Sequence, residues 1–365
     1  MRRVDDFHRL VEKETHDCNA PVKELAQRLL SKWLEQTDEQ GQFCKHVLTQ
    51  IRDTLDNGDR RPARMALHRI QQEIALHTRN SVLAEESHRQ SAERVKQEIL
   101  SAYEVVGSEG RGVVCMGSAR DTPDSKNFQR TVELSRETSI LLGSTIWNGG
   151  GPGIMEASSV GGIEAGGNVA AIKIGGLNTA NAAFEQEVSP ILVNSRVAIC
   201  QYFLARKVGL VDAGVRHNQE NRTAFVFFPG GFGTMDEGFE LLCLQQQGKL
   251  GTNYPVPIIF VNYGGAHNWL IEVQDHLADD GMIAEEDKCA IFSAEVLAKL
   301  ERLGGRHKKV DEYAEGDPDK PVDSVICANN RQVLDFLAAF YGIPANERQY
   351  ADKLRNWDGE NEAPR

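Results

Sequence analysis

A chain of 365 residues with 41% hydrophobic content can bury one large core or two smaller ones. Its net charge of -12 and pI of about 5.4 argue against a general binder of nucleic acid, which needs basic surface, but leave room for a small anion in a locally positive site. Seven scattered cysteines without a CxxC pair read as reduced thiols rather than disulfides or a zinc site. With no membrane-length apolar run and no secretory h-region, the expectation is a cytoplasmic protein without membrane association.

Residues 1–106 read as a helical region. Val22, Leu25, Leu29, Trp33 and Leu34 keep to one helical face, and Phe43, Val47, Leu48, Ile51 and Leu55 repeat the pattern until Asn57-Gly58. A further helix or pair covers roughly 62–106. The histidines here (His8, His46, His68, His77, His88) have no metal-ligand spacing and read as solvated or structural. Covering a core face or mediating oligomer contacts is the expected role of this region.

The texture changes at Gly107. Gly112–Met116 reads as a first strand, followed by Gly117-Ser118-Ala119-Arg120. A helix fits Asp124–Leu142, with Phe128, Val132, Leu134, Ile140 and Leu141 as candidate buried positions. Ser144–Trp147 is the next strand. Asn148, the triple glycine Gly149-Gly150-Gly151, Pro152 and Gly153 lead from it into a small-residue helix through Met155 and Glu156. Asn168–Ile174 reads as a third strand, Ile191–Val193 as a short one, and Val197–Val211 as a helix bearing Tyr202, Phe203, Arg206 and Lys207. Asp212–Arg222 is polar and reads as a surface loop. This alternation indicates parallel strands with crossover helices, that is, a Rossmann-like doubly wound α/β sheet over 107–290. Ligands in such sheets collect beyond the strands' carboxyl ends.

The chain is organised around 226–240, VFFPGGFGTMDEGFE. Ala224–Phe228 reads as a buried strand. Pro229, Gly230, Gly231 and Gly233 make a turn, Thr234 reads as the N-cap of a helix, and Asp236 and Glu237 fall in its first turn. A strand, glycine loop and helix N-terminus present amides and a positive dipole end to an anion. Beyond it lie a strand at Val256–Val261 and helices at His267–Leu277, Ala294–Leu303 and about 330–341. Val310–Asp323 reads as an acidic linker, and a polar tail begins at Asn346. Residues 291–365 form a C-terminal helical extension in this reading.

The string Pro229–Glu237 matches PGGxGTxxE and resembles the signature of the LOG (Lonely Guy) family of cytokinin-activating phosphoribohydrolases, many once labelled lysine decarboxylases. Gly117–Arg120 (GSAR), Asn148–Ala157 (NGGGPGIMEA) and Tyr202–Lys207 (YFLARK) resemble further family segments in the same order. The likeness runs over about 111–277; the N-terminal third and the tail lie outside it and suggest a longer subtype. The stretch Asp212–Arg222 is longer than in short members, and Leu204-Ala205 replaces the plant-type residues before the arginine. Both bear on which base is accepted.

The resemblance implies hydrolysis of adenosine 5′-monophosphates, often with a substituted exocyclic amine, to free base and ribose 5-phosphate. It places Glu237 near the anomeric carbon and Arg206 on phosphate, ribose or the glutamate. Breaking a C–N glycosidic bond builds positive charge on the sugar, which a carboxylate stabilises while orienting water. The bland alternatives are a helix-dipole carboxylate and a surface ion pair. Gly230, Gly231, Gly233 and Thr234 are the candidate phosphate cradle. Gly149, Gly150, Gly151, Ser118, Arg120, Met155, Lys207 and Asp236 are further candidate substrate contacts, each with a packing or surface role as the alternative. No metal or cofactor is expected, and no cofactor-lysine context supports a pyridoxal-dependent decarboxylase. A broader purine and pyrimidine nucleotide nucleosidase, or a non-catalytic nucleotide sensor or carrier of the same fold, stays open. A homodimer or higher homo-oligomer is expected.

Overall fold

The computed structural model describes residues 88–175, 191–192, 197–314 and 316–357. By its internal packing the chain divides into two units, 1–95 with 175–186, and 96–174 with 187–365. The helices read over residues 1–87 lie outside the described residues, and the account below concerns the second unit.

That unit is built on one eight-stranded, all-parallel sheet in the order β4-β3-β2-β1-β5-β6-β8-β7. In chain order the elements are α1 (His88–Glu109), β1 (Gly112–Met116), α2 (Lys126–Leu142), β2 (Thr145–Asn148), α3 (Ile154–Glu164), β3 (Val169–Ile174), β4 (Val197–Cys200) and α4 (Phe203–Gly214). There follow β5 (Ala224–Phe227), α5 (Phe232–Gln246), β6 (Ile258–Val261), α6 (Asn268–Asp279), β7 (Ala290–Ile291), α7 (Ala294–Leu303), β8 (Ser324–Cys327) and α8 (Asn330–Phe340). The fold is the Rossmann-like α/β architecture read from the sequence, and the sheet runs on past residue 290 through β7 and β8.

The inner strands are buried on both faces, so their residues sort by parity into two cores, while the edge strands β4 and β7 leave Ile199 and Ile291 exposed. Val113, Cys115, Ile146, Ala171, Val226, Ile259 and Val325 meet α2, α3, α7 and α8 on one face. Val114, Met116, Trp147, Ile172, Phe225, Phe227 and Phe260 meet α1, α4, α5 and α6 on the other. Phe225 and Phe227 are fully buried, each worth about 1.5–3 kcal/mol relative to an exposed ring. Helix α2 starts at Lys126, two residues after the Asp124 expected, because Ser125 caps it, its Oγ accepting from Phe128 N; Gly143 closes the C-terminus in the left-handed region.

Several local readings change. Val197–Cys200 is a strand paired with β3, and the helix starts only at Phe203; four apolar residues carry no periodicity that separates the two, and the free edge of β3 decides. Residues 191–192 form a turn rather than a strand, and Val193 lies outside the described residues. Ile140 is exposed on α2 and Val132 only partly covered, while Glu133 and Glu137 are buried there. The strand Ser324–Cys327 was not read at all. Asp212–Gly214 finish α4, and Arg216 in the following loop is buried. The tail docks over its described residues, 346–357: Tyr350 is buried with its hydroxyl donating to Asp335 (2.7 Å), and Trp357 Nε1 donates to Glu133 Oε2 (2.8 Å).

The sheet order reverses between β1 and β5, since the chain leaves β1 toward β2, β3 and β4 and returns on the other side. The two strands stay zipped beyond their ends, Phe228 N donating to Met116 O (2.8 Å) and Ser118 N to Pro229 O (3.0 Å). Parallel sheets bind ligands outside the strand carboxyl ends at such a reversal. The loops after β1, β2 and β5 meet there.

Candidate active site

Helix α4 begins just after edge strand β4 and packs along β1, β2 and β3, which carries Arg206 in its first turns toward the reversal point. Helix α5 leaves β5 through Pro229-Gly230-Gly231. Its N-cap is Gly231, and Thr234 N and Met235 N both donate to Gly231 O (3.0 and 3.1 Å). The helix therefore starts before Thr234, correcting the N-cap reading. Asp236 and Glu237 stand in the second turn, not the first. Glycine at the cap lets the chain enter the helix earlier than a Thr-based signal indicates.

The offset matters chemically. The first-turn amides of Phe232 and Gly233, which have no partner within a helix, lead the dipole end toward the reversal point. A Cβ built on Gly231 or Gly233 would meet nothing within 4 Å, so these two residues border open space. Gly230 differs, since a Cβ there would sit 2.2 Å from Thr234 Oγ1. Thr234 is buried and its side chain folds back over Gly230, closing the turn from within.

One helical turn beyond, Glu237 Oε1 lies 2.8 Å from Arg206 Nη1. Glu237 is only 7% exposed. Burial pushes its carboxyl above the ordinary range of 4.5; Arg206 and then Lys207 pull it back, while Asp236 and Glu240 push it up. The contact is an ion pair without hydrogen-bond alignment, and Arg206 Nε is buried with no hydrogen-bond partner. Both groups thus keep bonding capacity, unlike a salt bridge that is saturated. Phe203 lies beneath the guanidinium, 5.9 Å from ring centre to Cζ.

Lys207 turns to the same helix: its Nζ is 2.9 Å from Asp236 Oδ2 and 2.8 Å from Glu240 Oε2. Burial works against its charge, but the hydrogen bonds to Glu240 and Asp236 win and its pKa is raised. Lys207 and Asp236 therefore tie α4 to α5, with Glu240 as a third member that motif reading did not single out. Its position one turn after Asp236 was the available signal.

The loop after β2 faces the pair. A Cβ on Gly149 would lie 2.7 Å from Arg206 Nη2 and 2.8 Å from Met155 Sδ, so the arginine and Met155 both rest on this glycine. Gly150 N donates to Asn148 Oδ1 (2.8 Å), and Gly151 is buried. Ser118 is bound up in its loop, its O accepting from Ile154 N (2.9 Å) and its Oγ from Arg120 N (3.0 Å). Arg120 is exposed. The structure thus brings together Arg206, Glu237, Gly149, Met155, Lys207 and Asp236. Arg120 is left at the surface, with no described contact to that cluster. Asn148, Ser158 and Ser159, which support the triple glycine, were not singled out in the sequence.

Residues 155–302 match the family described as possible lysine decarboxylase. Over 91 residues the chain is 33% identical to the cytokinin riboside 5′-monophosphate phosphoribohydrolase LOG1 of Arabidopsis thaliana, covering 24% of this chain and 41% of that protein. The α/β domain is thus similar to LOG proteins over part of its length. LOG5 of the same plant, with the same descriptive name, is 26% identical over 173 residues, 46% of this chain and 68% of its own length. The probable phosphoribohydrolase LOGL2 of Oryza sativa subsp. japonica is 31% identical over 91 residues, 36% of its length. The shorter matches thus span less than half of these LOG proteins. The family match takes in Arg206, the glycine loop after β5 and Glu237, while the loops after β1 and β2 precede it.

Proposed function

We propose that this chain hydrolyses the N-glycosidic bond of nucleoside 5′-monophosphates, AMP or an analogue substituted on its exocyclic amine, to free base and ribose 5-phosphate. The Arg206–Glu237 pair, 2.8 Å apart with its glutamate buried and one turn beyond an open helix N-terminus, carries this reading. The first-turn amides around Gly231 and Gly233 take the 5′-phosphate. That anchoring brings the sugar toward Glu237. As the C1′–N bond breaks, its electron pair goes to the base and positive charge grows on the ribose. The Glu237 carboxylate stabilises that charge and orients the attacking water. A carboxyl held above its usual range also accepts the water's proton, which passes on to the departing base. Arg206 keeps Glu237 in place and offers Nε to the ribotide. The names of the LOG relatives support the reaction class.

The test incubates the protein with AMP, isopentenyladenosine 5′-monophosphate and adenosine, separating the products by chromatography. Free base should appear from the monophosphates and hardly from the nucleoside. Intact monophosphate alongside folded protein overturns the reading, and extending the panel to other purine and pyrimidine monophosphates tests adenine preference. Exposed Ile199, Phe203 and Leu204, close in sequence across β4 and the start of α4, support a homodimer, which sedimentation at micromolar concentration tests.

A further inference from the structure

The triple glycine after β2 looks like a second ligand cradle, but its central amide, Gly150 N, is taken by Asn148. Asn148 is 0% exposed at the end of β2. Its Oδ1 accepts from Gly150 N (2.8 Å), and its Nδ2 donates to Ser158 Oγ (3.1 Å) and Ser159 Oγ (2.8 Å). Those hydroxyls donate in turn to Met155 O (2.8 and 3.1 Å). Every polar atom of the Asn148 side chain is thus spent on holding the loop against α3. What the loop offers outward is the bare Cα of Gly149, on which the Arg206 guanidinium rests.

We infer that Asn148 is a positioning residue, fixing Gly149 as a seat that sets where the Arg206 guanidinium meets Glu237. Its consequence for catalysis, though not the seating itself, rests on Arg206 and Glu237 being the reacting pair. A Cβ at Gly149 would intrude to 2.7 Å on Nη2 and 2.8 Å on Met155 Sδ, both on flexible side chains, so the arginine is displaced before the backbone moves. The charge of Arg206 is the largest influence holding Glu237 down against burial. Moving it away therefore raises the carboxyl further. The same holds when Asn148 no longer fixes the Gly150 amide.

The test titrates the Glu237 carboxyl by 13C NMR in wild type, Gly149→Ala, Asn148→Ala and Arg206→Ala, with circular dichroism to confirm folding. Met155→Ala and Gly149→Ala/Met155→Ala isolate the arginine contact from the sulfur contact. The Glu237 pKa should rise in Gly149→Ala and Asn148→Ala in the direction of Arg206→Ala. It should rise again between Met155→Ala and the double variant. With AMP, kcat should fall about a hundredfold for a displacement near 1 Å while KM moves far less. An unmoved Glu237 titration in folded Asn148→Ala, or in folded Gly149→Ala together with the double variant, overturns the inference. Because the titration needs no substrate, it stands even if wild type fails to cleave AMP, an outcome that would sink the proposed reaction alone.

Discussion

Two arginines lie at opposite strand ends of the same sheet and are held differently, Arg216 fully buried and Arg206 only partly so. Arg216, 1% exposed near the start of β5, donates Nε to Asn221 O (3.0 Å), Nη1 to Pro255 O (3.0 Å) and Nη2 to Gln219 O (2.9 Å). Tyr254 and Tyr341 face its guanidinium. Arg206, at the carboxyl edge, has one carboxylate and an Nε without a hydrogen-bond partner. A structural arginine consumes its donors, whereas one meant for a ligand withholds some of them. The same contrast separates the glycine loops: Gly149 and Gly230 are closed on by side chains, while Gly231 and Gly233 border open space.

The largest expected effect breaks the working pair. Glu237→Gln keeps the shape and removes the charge, and nucleotide hydrolysis should fall by about 10²–10⁴-fold in kcat with the fold retained. Arg216→Ala should do the reverse. It strands three carbonyls, each at a cost of about 1–3 kcal/mol, so the unfolding free energy from denaturant titration should drop by several kcal/mol while activity per folded molecule stays near wild type. Loss of activity ahead of stability in that variant would erase the contrast.

The Arg216 edge has its own pH signature in His307. That ring lies 2.6 Å from Phe340 O through Nε2, and burial, helped by the Arg216 charge, pushes it down to about 4 against the pull of the Phe340 carbonyl. An unfolded His307 protonates near 6.5. Between these values the unfolded chain takes up a proton that the folded one refuses, so stability is full above about pH 6.5 and declines toward pH 4. The decline is on the order of 3 kcal/mol. Chemical denaturation across this range should show His307→Gln losing less than wild type by that amount.

Smaller effects sharpen the glycine contrast. Gly233→Ala should fold normally, being open and helical, but raise KM for the monophosphate about tenfold by crowding a charged hydrogen bond worth about 1.5–3 kcal/mol. Gly230→Ala should instead lower stability, because Thr234 must move. Trp357→Phe removes one hydrogen bond to Glu133 and should cost about 1 kcal/mol, or about 2–4 °C in melting temperature.

Much of this was visible in the residues. The β1 and α7 boundaries matched, and Pro229–Glu237 pointed to a glycine loop feeding a helix. Where reading failed, an alternative local structure was equally good. Val197–Cys200 fits the start of a helix until β3 offers an unpaired edge. Thr234 caps well until the glycines let the helix begin at Phe232. Arg216 sits in a polar stretch that reads as solvent-facing, and only the carbonyls converging on it from Gln219, Asn221 and Pro255 explain its burial.

By itself the sequence determined the layered α/β plan, because doubly buried strands must be apolar throughout, and it determined where glycine permits a phosphate-sized opening. Tertiary structure alone decided that Arg206 meets Glu237, that Lys207 is spent on Asp236 and Glu240, and that Gly149 supports an arginine. Those partners lie 29 to 57 residues apart in the chain, and sequence periodicity reports which face of an element is buried, not which element will cover it.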